Sequence, residues 1–185
     1  MNALIRPARD GDAAAFAAIY APYTATPLTF EAHAPTAEEF AGRIRAVTEA
    51  YPWLTAQADG RVLGYAYAHR LREREAYDWE AELSVYLSRD CTGQGVGTAL
   101  YTRLLELLAQ QNVATAWACL VPPNPPSEAL HRKCGFSPAG RWLSVGWKCG
   151  AWHDLLWYRR QLLPPGEPPR VFIPYPKIMQ MQSKR

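Results

Sequence analysis

The sequence predicts an α/β (α+β) domain whose mixed central sheet is flanked by helices on both faces. Two observations carry this. Apolar residues switch between helical and strand spacing in the order strand, two helices, three strands, helix, strand, helix, two strands. A segment of alternating glycines also joins a strand pattern to an amphipathic helix pattern near the middle of the chain. The 185 residues suffice for one domain with a sizeable core. The expected organisation is a single domain over 1–163 and a proline-rich tail over 164–185.

Ala3 to Arg6 reads as a short first strand, and Ala13 to Tyr23 as a helix with Phe16, Ile19 and Tyr20 at helical spacing. Thr36-Ala37-Glu38-Glu39 is a capping-box pattern that opens a second helix, with Phe40, Ile44 and Val47 on one face. Trp53 to Ala58, the turn pair Asp59-Gly60 and Val62 to His69 read as a hairpin. Glu80 to Leu87 is the next strand. Its alternation puts Leu83, Val85 and Leu87 on one face and Glu82, Ser84 and Tyr86 on the other. A helix with Leu100, Leu104, Leu107 and Leu108 on one face follows the glycines, and then a strand from Ala114 to Val121. The run from Pro122 to Pro126 is expected to exclude both helix and central strand. Ser127 is the expected cap of a short helix through Cys134, which Gly135 ends. Phe136 to Val145 and Asp154 to Leu162 are the last strands, and the tail from Pro164 is expected to be extended.

Composition narrows the function classes. Hydrophobic residues are 49% and charged residues 20%, as in ordinary globular proteins. No window has the continuous apolar length of a membrane helix, and Met1 to Pro7 lacks a signal-peptide pattern, so the cytoplasm is the default placement, with no membrane partner. A net charge of +3, scattered along the chain, argues against a nucleic-acid partner. The mixed-sign run from His69 to Glu75 reads either as a solvated loop or as an anion-binding segment. The four cysteines show no C-x-x-C spacing, so no metal is expected and the thiols read as free and mostly buried.

Gly93, Gly95 and Gly97 alternate within Thr92-Gly93-Gln94-Gly95-Val96-Gly97-Thr98. Glycine permits close backbone approach and left-handed angles. A helix start offers unpaired N–H groups and partial positive charge, which together suit a phosphate or pyrophosphate. The triphosphatase loop is absent, because no lysine follows. The dinucleotide fingerprint fails too, since Thr98 and Leu100 stand where a final glycine belongs, and no acid occurs between Leu107 and Ser127. Spacing alone leaves a phosphate cradle and a purely structural turn both open.

Leu83 to Phe136 resembles the GNAT acetyltransferase superfamily. The matching features are Ser84-Val85-Tyr86-Leu87, the loop Thr92 to Gly97, Asn124, and Lys133-Cys134-Gly135-Phe136. A closer resemblance, to the phosphinothricin and methionine sulfoximine acetyltransferases, covers nearly the whole chain. It rests on Tyr51-Pro52-Trp53-Leu54, Ala76-Tyr77-Asp78-Trp79, Leu100-Tyr101-Thr102, Leu130-His131 and Trp152-His153-Asp154. One departure is Thr92, where the superfamily usually carries Arg or Gln, so the cradle is expected to rest on backbone N–H groups from Gly93 to Thr98.

The resemblance implies a mostly antiparallel sheet, acetyl-CoA as cosubstrate, a small-molecule amine as acceptor and a homodimer. It assigns Glu82 as general base and His131 as proton donor to the departing thiolate; the plain alternatives are an exposed strand carboxylate and a helix-surface histidine. It assigns cofactor contacts to Val85, Tyr86 and Leu87, to Gly93, Gln94, Gly95, Val96, Gly97 and Thr98, and to Asn124 and Ser127. Phe30, Glu31, Arg72, Arg74 and Tyr77 are its acceptor-pocket candidates, and either arginine would suit an amino-acid carboxylate. His153 and Asp154 lean structural. The implied function is acetyl transfer by direct attack of the primary amine of a small amino acid or analogue. The alternatives are a protein or peptide acetyltransferase and a CoA-binding sensor without catalysis.

Overall fold

The structure is a computed structural model that describes residues 3–164 and 168–183. Among them are seven strands, β1 (Leu4–Pro7), β2 (Trp53–Ala58), β3 (Arg61–Arg70), β4 (Glu80–Leu87), β5 (Thr115–Leu120), β6 (Ser137–Lys148) and β7 (Ala151–Gln161). The α-helices are α1 (Ala13–Thr24), α2 (Ala37–Thr48), α3 (Val96–Gln110), α4 (Pro125–Lys133) and α5 (Tyr175–Gln182). The strands form one sheet in the order β1-β2-β3-β4-β5-β7-β6, antiparallel except for β4 beside β5.

Alternation along the strands divides the core between the two sheet faces. Trp53 and Tyr65 join Phe16 and Tyr20 of α1 and Phe40 and Ile44 of α2 on one face. Leu54, Ala66, Leu83 and Ala118 join Leu100, Leu104 and Leu108 of α3 on the other. Helix α2 begins as its sequence dictates: Thr36 Oγ1 accepts from Glu39 N at 3.1 Å and Glu39 Oε2 accepts from Thr36 N at 2.6 Å. Asp59 and Gly60 both take positive φ, the geometry of a two-residue hairpin turn.

Three expectations are corrected. The prolines do not exclude a helix, because α4 starts at Pro125, and its cap is Asn124 rather than Ser127. Pro125 and Pro126 occupy the first helical positions, where a missing N–H costs nothing. Strands β6 and β7 run on to a two-residue turn at Cys149-Gly150, both at positive φ, with Lys148 opposite Ala151. A cysteine in the left-handed region gives no sequence signal for a turn. Of the four thiols, Cys91 and Cys134 are buried, Cys119 is half-buried and Cys149 is exposed.

The expected extended tail ends instead in α5, whose Tyr175 and Ile178 are buried in the α3 face. Part of the proline run, residues 165–167, lies outside the described residues. Buried Gln111 anchors the segment before α5, donating to Ala50 O at 2.7 Å and Ile173 O at 2.9 Å. Asn112 and Trp79 donate to the carbonyls of Val171 and Arg170. Ile178→Ala should therefore lower the unfolding free energy by about 2–5 kcal/mol, the usual loss for truncating a core side chain. Urea denaturation measures it, and a change within about 0.5 kcal/mol, the range of surface substitutions, would place α5 outside the cooperative core.

Candidate active site

Strands β4 and β5 pair only at Glu80↔Thr115, Ala81↔Ala116 and Glu82↔Trp117, although β4 continues to Leu87 and β5 to Leu120. Beyond Glu82, β4 keeps β3 on one side and β5 keeps β7 on the other. The far edge of β4 from Leu83 to Leu87 has no partner strand among the described residues, so alternate backbone groups there face an opening. That opening is a cleft of about 720 Å³. It is lined by Ser84, Val85, Tyr86 and Leu87 from β4, by Gly93, Gly95, Gly97 and Thr98 from the glycine loop, and by Asn124, Ser127 and His131 from the start of α4.

The glycines differ in what they do. Gly93 and Gly95 sit at φ +79° and +84°, where an L side chain is strained. Gly95 caps α3 with no side-chain hydrogen bond, so the first N–H groups of that helix are left for a ligand. Gly97 answers to packing, because a Cβ there would lie 3.2 Å from Leu130 Cδ2 of α4. Of the residues expected in the loop, Val96 is buried and Gln94 folds back to donate to Asp90 O at 2.7 Å. Thr92 lines the cleft, and so do two cations that spacing did not single out, Arg89 and Lys133. Uncapped N–H groups, a helix start and an unpaired strand edge fit the pyrophosphate and the amide-bearing arm of CoA.

The two residues singled out as candidate base and candidate proton donor lie at the cleft. Glu82 shares the α1–α2 face of β4 with Ser84 and Tyr86. Its carboxylate does not line the cleft; it accepts from the cleft-lining Cys119 thiol at 3.3 Å. His131 is buried on α4 and its Nδ1 lies 2.7 Å from Ser127 O. A carbonyl only accepts, so Nδ1 carries the proton and Nε2 accepts from the Tyr101 hydroxyl at 3.2 Å. Burial holds the imidazole below its ordinary pKa, against the opposing pull of the Ser127 carbonyl. Burial also pushes the Tyr101 hydroxyl well up. Neither Tyr101 nor Cys119 was singled out from sequence, where one reads as helix core and the other as a strand thiol.

At the α1 end the cleft is lined by Tyr23, Thr26 and Leu28. Tyr23 donates its hydroxyl proton to Leu87 O at 2.8 Å, and burial pushes Tyr20 beside it up to about 12. The acceptor-pocket candidates stand back from the cleft wall. Phe30 packs over Gly146, where a Cβ would meet its ring at 2.4 Å. Glu31 is paired to Arg43 at 2.8 Å. Arg72 lies over the Trp142 ring, 5.8 Å from its centroid, while Arg74 and Tyr77 are exposed in the β3–β4 loop. Lys148 Nζ donates to Thr29 O at 2.6 Å and Glu31 O at 2.7 Å, tying the α1–α2 loop to the β6–β7 hairpin. His153 and Asp154 brace that hairpin through Lys148 O and through Arg141 and Ser144 N.

The comparisons with known proteins agree with this geometry. Residues 5–157 match the family described as Acetyltransferase (GNAT) domain. The chain is 36% identical to a phosphinothricin N-acetyltransferase of Streptomyces viridochromogenes, over 94% of this chain and 95% of that one. It is 37% identical to an L-methionine sulfoximine/L-methionine sulfone acetyltransferase of Pseudomonas paraeruginosa, over 63% and 68% of the two chains. A solved GNAT superfamily phosphinothricin acetyltransferase of Sinorhizobium meliloti, in complex with AcCoA, superposes with a TM-score of 0.86 at 33% identity, covering 95% of this chain and 97% of that one. This chain belongs to the GNAT acetyltransferase family.

The state of His131 is directly measurable. Because burial lowers its pKa, the imidazole should be neutral at pH 7, protonated at Nδ1, and should titrate below the usual value of about 6.5. NMR of the ¹⁵N-labelled ring checks this, and a mainly cationic His131 at pH 7 would contradict the hydrogen-bond assignment.

Proposed function

We propose that this acetyltransferase moves the acetyl group of acetyl-CoA to the primary amine of a small amino acid or analogue of the phosphinothricin and methionine sulfoximine type, by direct attack. The observation that carries it is the parting of β4 and β5 at Glu82, which sets a carboxylate beside the end of a cleft suited to CoA. Acetyl-CoA supplies an activated thioester when bound. The N–H groups at the start of α3 cradle its pyrophosphate, the open edge of β4 pairs with its arm, and Asn124 and Ser127 line the far wall. A backbone N–H near Tyr86 or Leu87 polarises the carbonyl.

Glu82 takes the proton that the acceptor ammonium must lose before it attacks. On the opposite wall the resting imidazole is neutral; once it has taken up a proton from solvent it donates from Nε2 to Tyr101 Oη, and the Tyr101 hydroxyl passes its own proton toward the departing sulfur. The imidazole ends neutral and the tyrosine unchanged. The acceptor enters from the α1–α2 face, where the loop held by Lys148 and the β3–β4 loop with Arg72, Arg74 and Tyr77 bound it.

The four free thiols suit a cytoplasmic, reducing compartment. The sheet edge supports a homodimer. Strand β6 is an edge strand that exposes Leu143 at 71% and Trp147 at 62%, with Trp152 of β7 beside them at 61%. Such an apolar strip on an unpaired edge is ordinarily covered, and a second copy of the chain is the occupant that a two-fold axis supplies.

Two tests follow. Wild-type protein should release CoA thiol when small L-amino acids or their sulfoximine, sulfone or phosphinic analogues are added. Glu82→Gln should lower kcat by about 10²-fold or more and abolish the acid limb of its pH profile, as for loss of a general base. CoA binding without turnover across an amine panel would favour the sensor. Sedimentation should show a dimer that Trp147→Glu converts to monomer; a monomeric wild type would remove the dimer from the proposal.

A further inference from the structure

The junction where β4 leaves β5 holds a link between side chains that the proposed chemistry does not use. Trp117 Nε1 of β5 donates to Glu80 Oε2 of β4 at 2.9 Å. Two residues on, the Cys119 thiol donates to Glu82 Oε1 at 3.3 Å. Strand alternation puts all four side chains on the α1–α2 face. The two bonds are successive rungs of one diagonal ladder, because the backbone partners of Glu80 and Glu82 are Thr115 and Trp117. The Trp117 rung lies within the paired region. The Cys119 rung lies beyond it, since Cys119 follows the last backbone pair, and it spans the point at which the strands part. Cys119 also lines the cleft, which the Glu82 carboxylate does not.

We propose that Cys119 is a positioning residue for the general base: its thiol, on the cleft wall, holds the Glu82 carboxylate where β4 and β5 part, in the orientation from which it takes the acceptor's proton. The inference rests on the reading of Glu82 as base. A flexible carboxylate at a splayed strand end would otherwise sample several rotamers, and one directed hydrogen bond selects among them. The thiol is suited to this task because it stays protonated: burial, and then the charge of Glu82 itself, push it well up. The other titratable groups around Glu82 are Glu80 on its own strand, Tyr67 and His69 on β3, and Tyr101 on α3. Among the described residues, Cys119 is the side chain within hydrogen-bonding distance of its carboxylate.

The test is a set of variants read by the split between kcat and KM. In Cys119→Ala and Cys119→Val the unheld carboxylate spends less time in the productive orientation, so kcat should fall about three- to tenfold with KM for acetyl-CoA little changed. Cys119→Ser keeps a donor and should restore kcat. A shift in KM for acetyl-CoA alone, with wild-type kcat in the Ala and Val variants, would overturn the proposal and leave Cys119 as a wall residue. Glu82→Gln separates the two readings: if it too keeps wild-type kcat, Glu82 is not the base and the proposal falls with it. Infrared difference spectra between wild type and Cys119→Ser test the contact without turnover. The S–H band should rise in frequency in Glu82→Gln, and an unmoved band would mean the bond is not made.

Discussion

Parallel pairing between β4 and β5 lasts for three residue pairs and then stops, and the site is built around that interruption. Strands that part normally strand backbone groups without partners. Here each parting strand keeps a neighbour on its other side, β3 for β4 and β7 for β5, so the opening costs only one edge of each. Those edges are what an extended, amide-bearing ligand requires. The same parting sends two chain segments in one direction: β4 runs into the glycine loop and the start of α3, and β5 runs into Asn124 and the start of α4. Two helix N-termini with their partial positive charge thus meet one cleft, where an anionic cosubstrate belongs.

The two candidate proton-handling residues lie on different walls. Glu82 and Cys119 lie on the sheet face covered by α1 and α2. His131 and Tyr101 lie on the side of α3 and α4, against Phe136 and Tyr158. The proposed base and the proposed proton donor thus sit in different environments. The wall around His131 is aromatic and buried, and burial holds the imidazole below its ordinary pKa. The wall around Glu82 is polar, with a thiol rather than a lysine or arginine in contact with the acid.

Distant segments complete the acceptor side. The β6–β7 hairpin reaches back over the sheet, seats Phe30 against Gly146 and grips two carbonyls of the α1–α2 loop with Lys148. Nearly 120 residues of chain separate those partners, so the loop is shaped by the far end of the domain rather than by its own turn chemistry. The outer edge of that hairpin is apolar and exposed.

Much of this was legible along the chain, because it follows from local rules. Period-two and period-3.6 patterns mark nearly every element, the Thr36–Glu39 capping box marks the start of α2, and alternating glycines before an amphipathic run mark the turn into α3. Local rules also misled where position within an element reverses a residue's effect. Proline breaks a helix interior yet opens α4, and a cysteine at positive φ closes the β6–β7 turn. The run of short motifs from Leu83 to Phe136 pointed to the family, and residues 5–157 match it. Which of the named side chains share a cleft required the folded sheet. Strand order and register depend on pairings between segments far apart in sequence, and no local preference encodes them. That is why strand alternation and the family resemblance could single out Glu82, while Cys119 and Tyr101 became partners of Glu82 and His131 only once β5 and α3 were brought against them.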